Sequence, residues 1–147
     1  MTDRNGLISL AKLTAVKYNL IPSIVCGMCE QESSWNPDAT RYEPAFYLRY
    51  IEPMIDAGRL TDLVEAKNRA TSWGLMQVMG QVAREMGYEG PFPLESAEMG
   101  IRLGCEKFAR CVAQSKGDIG SALLRYNGGG NILYAREVMA KSAVYGE

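Results

Sequence analysis

The chain contains no histidine, and that absence removes whole chemistries. Ser-His-Asp and Cys-His nucleophilic sites cannot be built, nor can a His-ligated metal centre. Acid–base work must fall to carboxylates, Tyr, Lys or Cys. A strong charge of one sign is also missing: the net charge is −1, which gives no general field for nucleic acid or anionic lipid. No stretch approaches the roughly twenty apolar residues of a membrane span, so stable membrane insertion is not expected. The opening Met1-Thr2-Asp3-Arg4-Asn5-Gly6 lacks a basic segment leading into an apolar run. Synthesis in the cytoplasm without a signal peptide is the expectation. Repeats, low-complexity tracts, linkers and strand signals are nearly absent. With 147 residues, the chain is expected to form a single domain over residues 1–147 with one core.

What is present is a helical rhythm almost throughout. A first helix is expected from near Asp3 to Tyr18, with Leu7, Leu10, Ala11 and Thr14 toward the core. The second lies within Ile21–Pro37, with Pro22 suited to its first turn and Asn36-Pro37 stopping it. Pro44 opens a third segment through Ile51, Gly58 stops it, and a polar helix or loop follows from Thr61 to Arg69. A helix is expected from Gly74 to Met86, a loop around Gly90-Pro91-Phe92-Pro93, and the longest amphipathic helix from Glu95 to Ser115. Asp118 can cap a helix from Ile119 to Tyr126, and Gly128-Gly129-Gly130 separates it from a final one over Ile132 to Lys141.

The four cysteines admit a four-thiolate zinc site or two disulfides. The preferred reading is small core hydrophobes, because Cys29 continues an apolar stripe and Cys105 falls in the row Ile101, Cys105, Phe108, Val112. No metal and no cofactor are expected, and free thiols favour synthesis in a reducing compartment.

Glu32 is the residue that asks for an explanation. It shares a helix face with Val25, Met28, Cys29 and Trp35, at the end of an apolar stripe for which the sequence offers no balancing cation. Desolvation disfavours the charged form of a carboxyl group, which suits a Glu to act as a general acid at neutral pH. Protonation of a glycosidic oxygen is the commonest use.

Three separated motifs carry a family resemblance. Gln31-Glu32-Ser33-Ser34-Trp35-Asn36-Pro37-Asp38-Ala39, Ser72-Trp73-Gly74-Leu75-Met76-Gln77-Val78-Met79 and Ala122-Leu123-Leu124-Arg125-Tyr126-Asn127-Gly128-Gly129 together resemble the soluble lytic transglycosylase catalytic domain, across about Leu7 to Met139. The resemblance implies a mainly α, lysozyme-like fold of the goose-type kind. It also implies cleavage of the β-1,4 bond between N-acetylmuramic acid and N-acetylglucosamine in peptidoglycan glycan strands, by a monomer. Glu32 matches the family's acid/base, which protonates the leaving oxygen and then takes the proton of the muramoyl C6 hydroxyl, giving a 1,6-anhydro product. Gly74, Gln77 and Met79 match the stretch lining the sugar cleft. Tyr126 matches a tyrosine whose hydroxyl bonds the catalytic Glu, and Asn127 the neighbouring structural or substrate-contacting amide. Tyr134 and Val138 fit the closing helix less specifically. Arg41-Tyr42-Glu43-Pro44-Ala45-Phe46-Tyr47 is similar to an insert in bacteriophage-encoded members, which implies an endolysin released through a holin pore or a virion-associated wall enzyme.

Many members carry a serine nine residues after the catalytic Glu, where this chain has Arg41, followed by about thirty residues before Ser72. Ser72 is a candidate replacement for that hydroxyl. Glu43 is a candidate to bond Arg41, to orient substrate, to support Glu32, or to act as the second carboxylate of a hydrolytic muramidase. Trp35 and Trp73 can either pack or stack on sugar. A non-catalytic wall-binding protein on the same scaffold is the alternative from another class, and an unpaired buried acid argues against it.

Overall fold

Five helices build the larger part of the molecule in the computed structural model, which describes residues 3–146. Met1 and Thr2, which open the amino-terminal segment read above, and Glu147 lie outside them. Helix α1 (Arg4–Lys17) starts where Asp3 accepts a hydrogen bond from the Gly6 N–H at 2.8 Å, satisfying one of the donors a helix start leaves free. Helix α2 (Pro22–Ser33) is buried on every side from Ser23 to Cys29, as a nearly uncharged sequence requires of a central helix. The long helix α7 (Ala97–Gln114), capped by Ser96, α8 (Ile119–Asn127), capped by Asp118, and α9 (Tyr134–Ser142) pack with α1 around it. Val25, Met28, Ile101, Phe108, Leu123 and Val138 fill the shared core. A side chain at Gly27 would bring a Cβ within 2.7 Å of the Val138 carbonyl, so glycine there lets α2 and α9 approach closely. That approach sets the position of Tyr134 relative to Glu32.

The segment between α2 and α7 forms the other wall. It runs through β1 (Thr40–Tyr42), α3 (Pro44–Phe46), a π-helical turn (Tyr47–Ile51), α4 (Glu52–Asp56), α5 (Leu63–Arg69), β2 (Thr71–Trp73), β3 (Val78–Met79) and α6 (Gly80–Glu85). The strands form an antiparallel sheet in the order β1-β2-β3, with Arg41 opposite Ser72 and Ser72 opposite Met79. The helix expected from Gly74 to Met86 is therefore corrected. Residues 74–77 make a reversal between β2 and β3, in which Gly74 and Gln77 both adopt positive φ, and helix begins only at Gly80. Strands of two or three residues are too short to show an alternating pattern, which is why the sequence did not announce them.

Ile51, Leu60, Ala66 and Ala70 make a small second core beneath the insert. Arg84 ties this wall together: it bonds the Glu65 carboxylate at 2.8 Å, donates to the carbonyls of Tyr88 and Gly90, and lies over the Phe92 ring. Those bonds from Arg84, with help from Arg69, hold the Glu65 carboxyl down at about 2.

All four cysteines are buried and unbonded, the core role preferred from the sequence. Burial pushes the thiols of Cys26 and Cys105 up to about 11 and about 12. Trp35 and Trp73 take the packing option. Trp35 is 5% exposed and donates to the Tyr145 hydroxyl at 2.8 Å, while Trp73 stacks on Phe92 and donates to the Asn68 carbonyl. No helix among the described residues is long and apolar enough to cross a membrane.

Candidate active site

A cleft of about 550 Å³ lies between the helical body and the sheet wall, and Glu32 lines it. The sheet supplies a cross-strand row. Because Arg41, Ser72 and Met79 are paired across the three strands, their side chains leave the sheet on the same face, and all three line the cleft. Glu43 lies two residues beyond Arg41, on the same face, and completes that wall. On the helical side stand Lys107, Tyr126, Asn127, Gly130 and Asn131, with Gln77 on the turn between β2 and β3. Of the residues singled out from the sequence, Glu32, Glu43, Ser72, Gln77, Met79, Tyr126 and Asn127 are brought together. Gly74 is not: it lines a neighbouring depression of about 350 Å³ with Pro37, Trp73 and Leu94, because it opens the reversal that Gln77 closes.

Glu32 projects from the last turn of α2, which ends at Ser34 in a left-handed conformation. The turn is braced from the sheet side. Ser33 Oγ donates to the Leu75 carbonyl at 2.9 Å, and Gln77 Nε2 donates to the carbonyls of Ala39 and Gly74, each at 2.9 Å. Gln77 thus spends its amide nitrogen on the loop, and its Oε1 makes no protein hydrogen bond among the described residues.

The hydroxyl that holds Glu32 belongs to Tyr134. It donates to Glu32 Oε2 at 2.7 Å from the first residue of α9. The expectation for Tyr126 is corrected: its hydroxyl donates to the Met76 carbonyl at 2.7 Å and it is 3% exposed. Tyr126 sits on the last turn of α8 beside α7, aimed at the buried backbone of the 74–77 reversal, and so fastens the two cleft walls. Asn127 is structural on one side, since its Oδ1 accepts from the Asn131 N–H at 2.8 Å and closes the Gly128-Gly129-Gly130 loop. Asn131 then donates to Glu137, which also receives Gln31.

Burial is the largest influence on the Glu32 carboxyl and raises its pKa, against the Tyr134 hydrogen bond, Lys107 and Arg41. The expectation that no cation faces Glu32 is thereby corrected, because tertiary packing brings two charges from α7 and β1 to the same cleft. Neither forms an ion pair with it among the described residues. Arg41 is engaged with Glu43 at 2.8 Å, its side chain 78% exposed. Lys107 donates to the Tyr126 carbonyl at 3.0 Å and sits 3.9 Å from the centre of the Tyr126 ring.

Lys107 and Asn131 were missed in the sequence, and Tyr134 was placed only on the closing helix, without its bond to Glu32; Lys107 and Tyr134 each left a signal. Leu103, Lys107 and Cys111 are spaced four apart on α7, so Lys107 interrupts an otherwise buried row. Tyr134 begins the row Tyr134, Val138, Ser142, all buried on α9.

A half-buried carboxyl held by one hydroxyl, and free of ion pairing among the described residues, can release and recover a proton inside a cleft of about 550 Å³. A family model described as Transglycosylase SLT domain matches residues 9–143. Comparisons with curated proteins and with solved structures returned no match.

Proposed function

The chain belongs to the transglycosylase SLT domain family, and from that premise we propose that it is a lytic transglycosylase of peptidoglycan in which Glu32 is the acid/base. Glu32 protonates the bridging glycosidic oxygen as the bond from muramoyl C1 to that oxygen breaks. The C6 hydroxyl of the same muramoyl unit then attacks C1, and its proton passes to the Glu32 carboxylate. The products are a free hydroxyl on the leaving sugar and a 1,6-anhydro ring, with no water consumed. Tyr134 holds the carboxylate between the two transfers, when its charge is most exposed to a poorly solvating site. The observation that carries this reading is a half-buried Glu32 with a hydroxyl donor and, among the described residues, no ion-pair partner, facing a cleft of about 550 Å³.

A muramidase that uses water is the second reading, favoured by Glu43 lining the same cleft as Glu32. Its carboxylate is held by Arg41 at 2.8 Å, which suits it to binding and to shaping the wall. Ser72, Met79, Gln77 Oε1 and the Asn127 amide are the groups assigned to substrate contact.

The proposed setting is bacteriophage-mediated lysis by a single-domain monomer that reaches the wall through a membrane pore or on a virion. The Arg41–Tyr47 insert, which builds the cleft wall, supports it. Clearing of purified peptidoglycan suspensions tests the activity. Expression in bacterial cytoplasm, with and without permeabilisation of the inner membrane, tests the setting: lysis is expected only with permeabilisation.

A further inference from the structure

From the placement of its side chain, we infer that Lys107 is a positioning residue that presents a fixed positive charge to Glu32 within the cleft that both line, and sets the pH range in which that carboxyl works. Two contacts fix the ammonium group. Its Nζ donates to the Tyr126 carbonyl at 3.0 Å and lies 3.9 Å from the centre of the Tyr126 ring, where the negative face of the ring favours a cation. Tyr126 is itself immobilised through the Met76 carbonyl. The charge is therefore held by the backbone of α8 and by an aromatic ring, with no carboxylate bonded to it among the described residues. A lysine on the buried row Leu103, Lys107, Cys111 gives up solvation, and such a side chain is retained at a cost unless its charge has a use.

Glu32 is an acid that lines the same cleft as that charge. The other groups around Glu32 are Tyr134 on α9, Tyr126 on α8, Cys29 on α2, and Arg41 and Glu43 on the sheet wall. Arg41 is solvent-exposed and its charge is balanced by Glu43 at 2.8 Å, so Lys107 is the unbalanced cation of the set. Burial lowers the Lys107 pKa while Cys111 and then Glu32 raise it, and the reverse influence of Lys107 on Glu32 is downward. As a statement about catalysis the inference rests on the peptidoglycan-cleaving reading above. As a statement about charge it does not.

Titration of the Glu32 side-chain carbon by NMR, assigned by its loss in Glu32→Gln, tests the charge directly. In Lys107→Met the Glu32 midpoint is expected to rise by about one pH unit or more, while Lys107→Arg stays close to the wild type. A midpoint unmoved in folded Lys107→Met overturns the inference. Should Lys107→Met not fold, the reciprocal measurement decides, because coupling acts equally on both partners. Titration of Lys107 in Glu32→Gln is expected to move down, and an unmoved Lys107 midpoint overturns the inference. The alkaline limb of peptidoglycan clearing is expected to follow the Glu32 midpoint in each variant. Clearing that is absent from the wild type removes the proposed function and leaves the NMR result standing, so the two failures are distinguishable.

Discussion

Replacing Tyr134 by Phe deletes one oxygen, and the consequence follows from where that oxygen sits. The hydroxyl donates to Glu32 Oε2 at 2.7 Å, a distance typical of a charge-assisted bond when Glu32 is ionised. Hydrogen bonds to charged groups are worth about 1.5–3 kcal/mol, which corresponds to roughly one to two pK units. Burial already raises the Glu32 carboxyl, and without the hydroxyl only Lys107 and Arg41 oppose that. The pKa therefore rises further and the carboxylate that must accept the C6 proton loses its fixed partner. The expected result is a fall in turnover of about tenfold or somewhat more, together with an alkaline limb displaced to higher pH. The thermal midpoint should change little, because water in the cleft can replace the lost donor. Peptidoglycan clearing measured against pH, with melting followed by circular dichroism, reads all three quantities. A pH profile and rate indistinguishable from wild type would refute the assignment of Tyr134.

Tyr126→Phe should behave in the opposite way, leaving the buried Met76 carbonyl without its donor and costing about 1–3 kcal/mol of stability, read by denaturant unfolding. A variant as stable as wild type but catalytically impaired would restore Tyr126 as the partner of Glu32. Glu32→Gln should gain stability over wild type as pH rises. The raised carboxyl favours the fold below its unfolded value near 4.3, and that contribution is lost as Glu32 ionises through its folded value. Melting temperatures of the pair should coincide in acid and diverge toward neutral pH; divergence in the other direction contradicts the desolvation argument. The four cysteines should resist a thiol reagent in the native protein and react together on unfolding, and addition of a chelator should leave the melting temperature unchanged. A chelator-induced loss of stability would return the zinc reading.

The parts of the fold that the sequence announced are those with long periodic or capped segments. Asp3 and Asp118 mark helix starts, Pro22 sits in a first turn, and the apolar stripe of α7 runs through Ile101, Cys105 and Phe108. The sheet was illegible because its strands are short and its reversal depends on Gln77 adopting a positive φ, which only tertiary contacts with Ala39 and Gly74 enforce. In the site, Glu32 was legible from its stripe, and Ser72, Gln77 and Met79 from their motif. Its partners were not, since Tyr134 stands 102 residues away and reaches Glu32 through the close packing of α2 and α9 at Gly27. Lys107 likewise reaches the cleft of the acid from a different helix, and no local pattern pairs residues on two separate helices.

The claim on which the rest depends is that Glu32 alone carries both proton transfers. Mass analysis of muropeptides released from purified peptidoglycan, by wild type, Glu32→Gln and Glu43→Gln in parallel, tests it most directly. The account predicts anhydromuramoyl ends, lighter than reducing ends by one water, from wild type and at a reduced rate from Glu43→Gln, and no products from Glu32→Gln. Reducing muramic acid ends from wild type, with Glu43→Gln as inactive as Glu32→Gln, would contradict it and establish a two-carboxylate hydrolase.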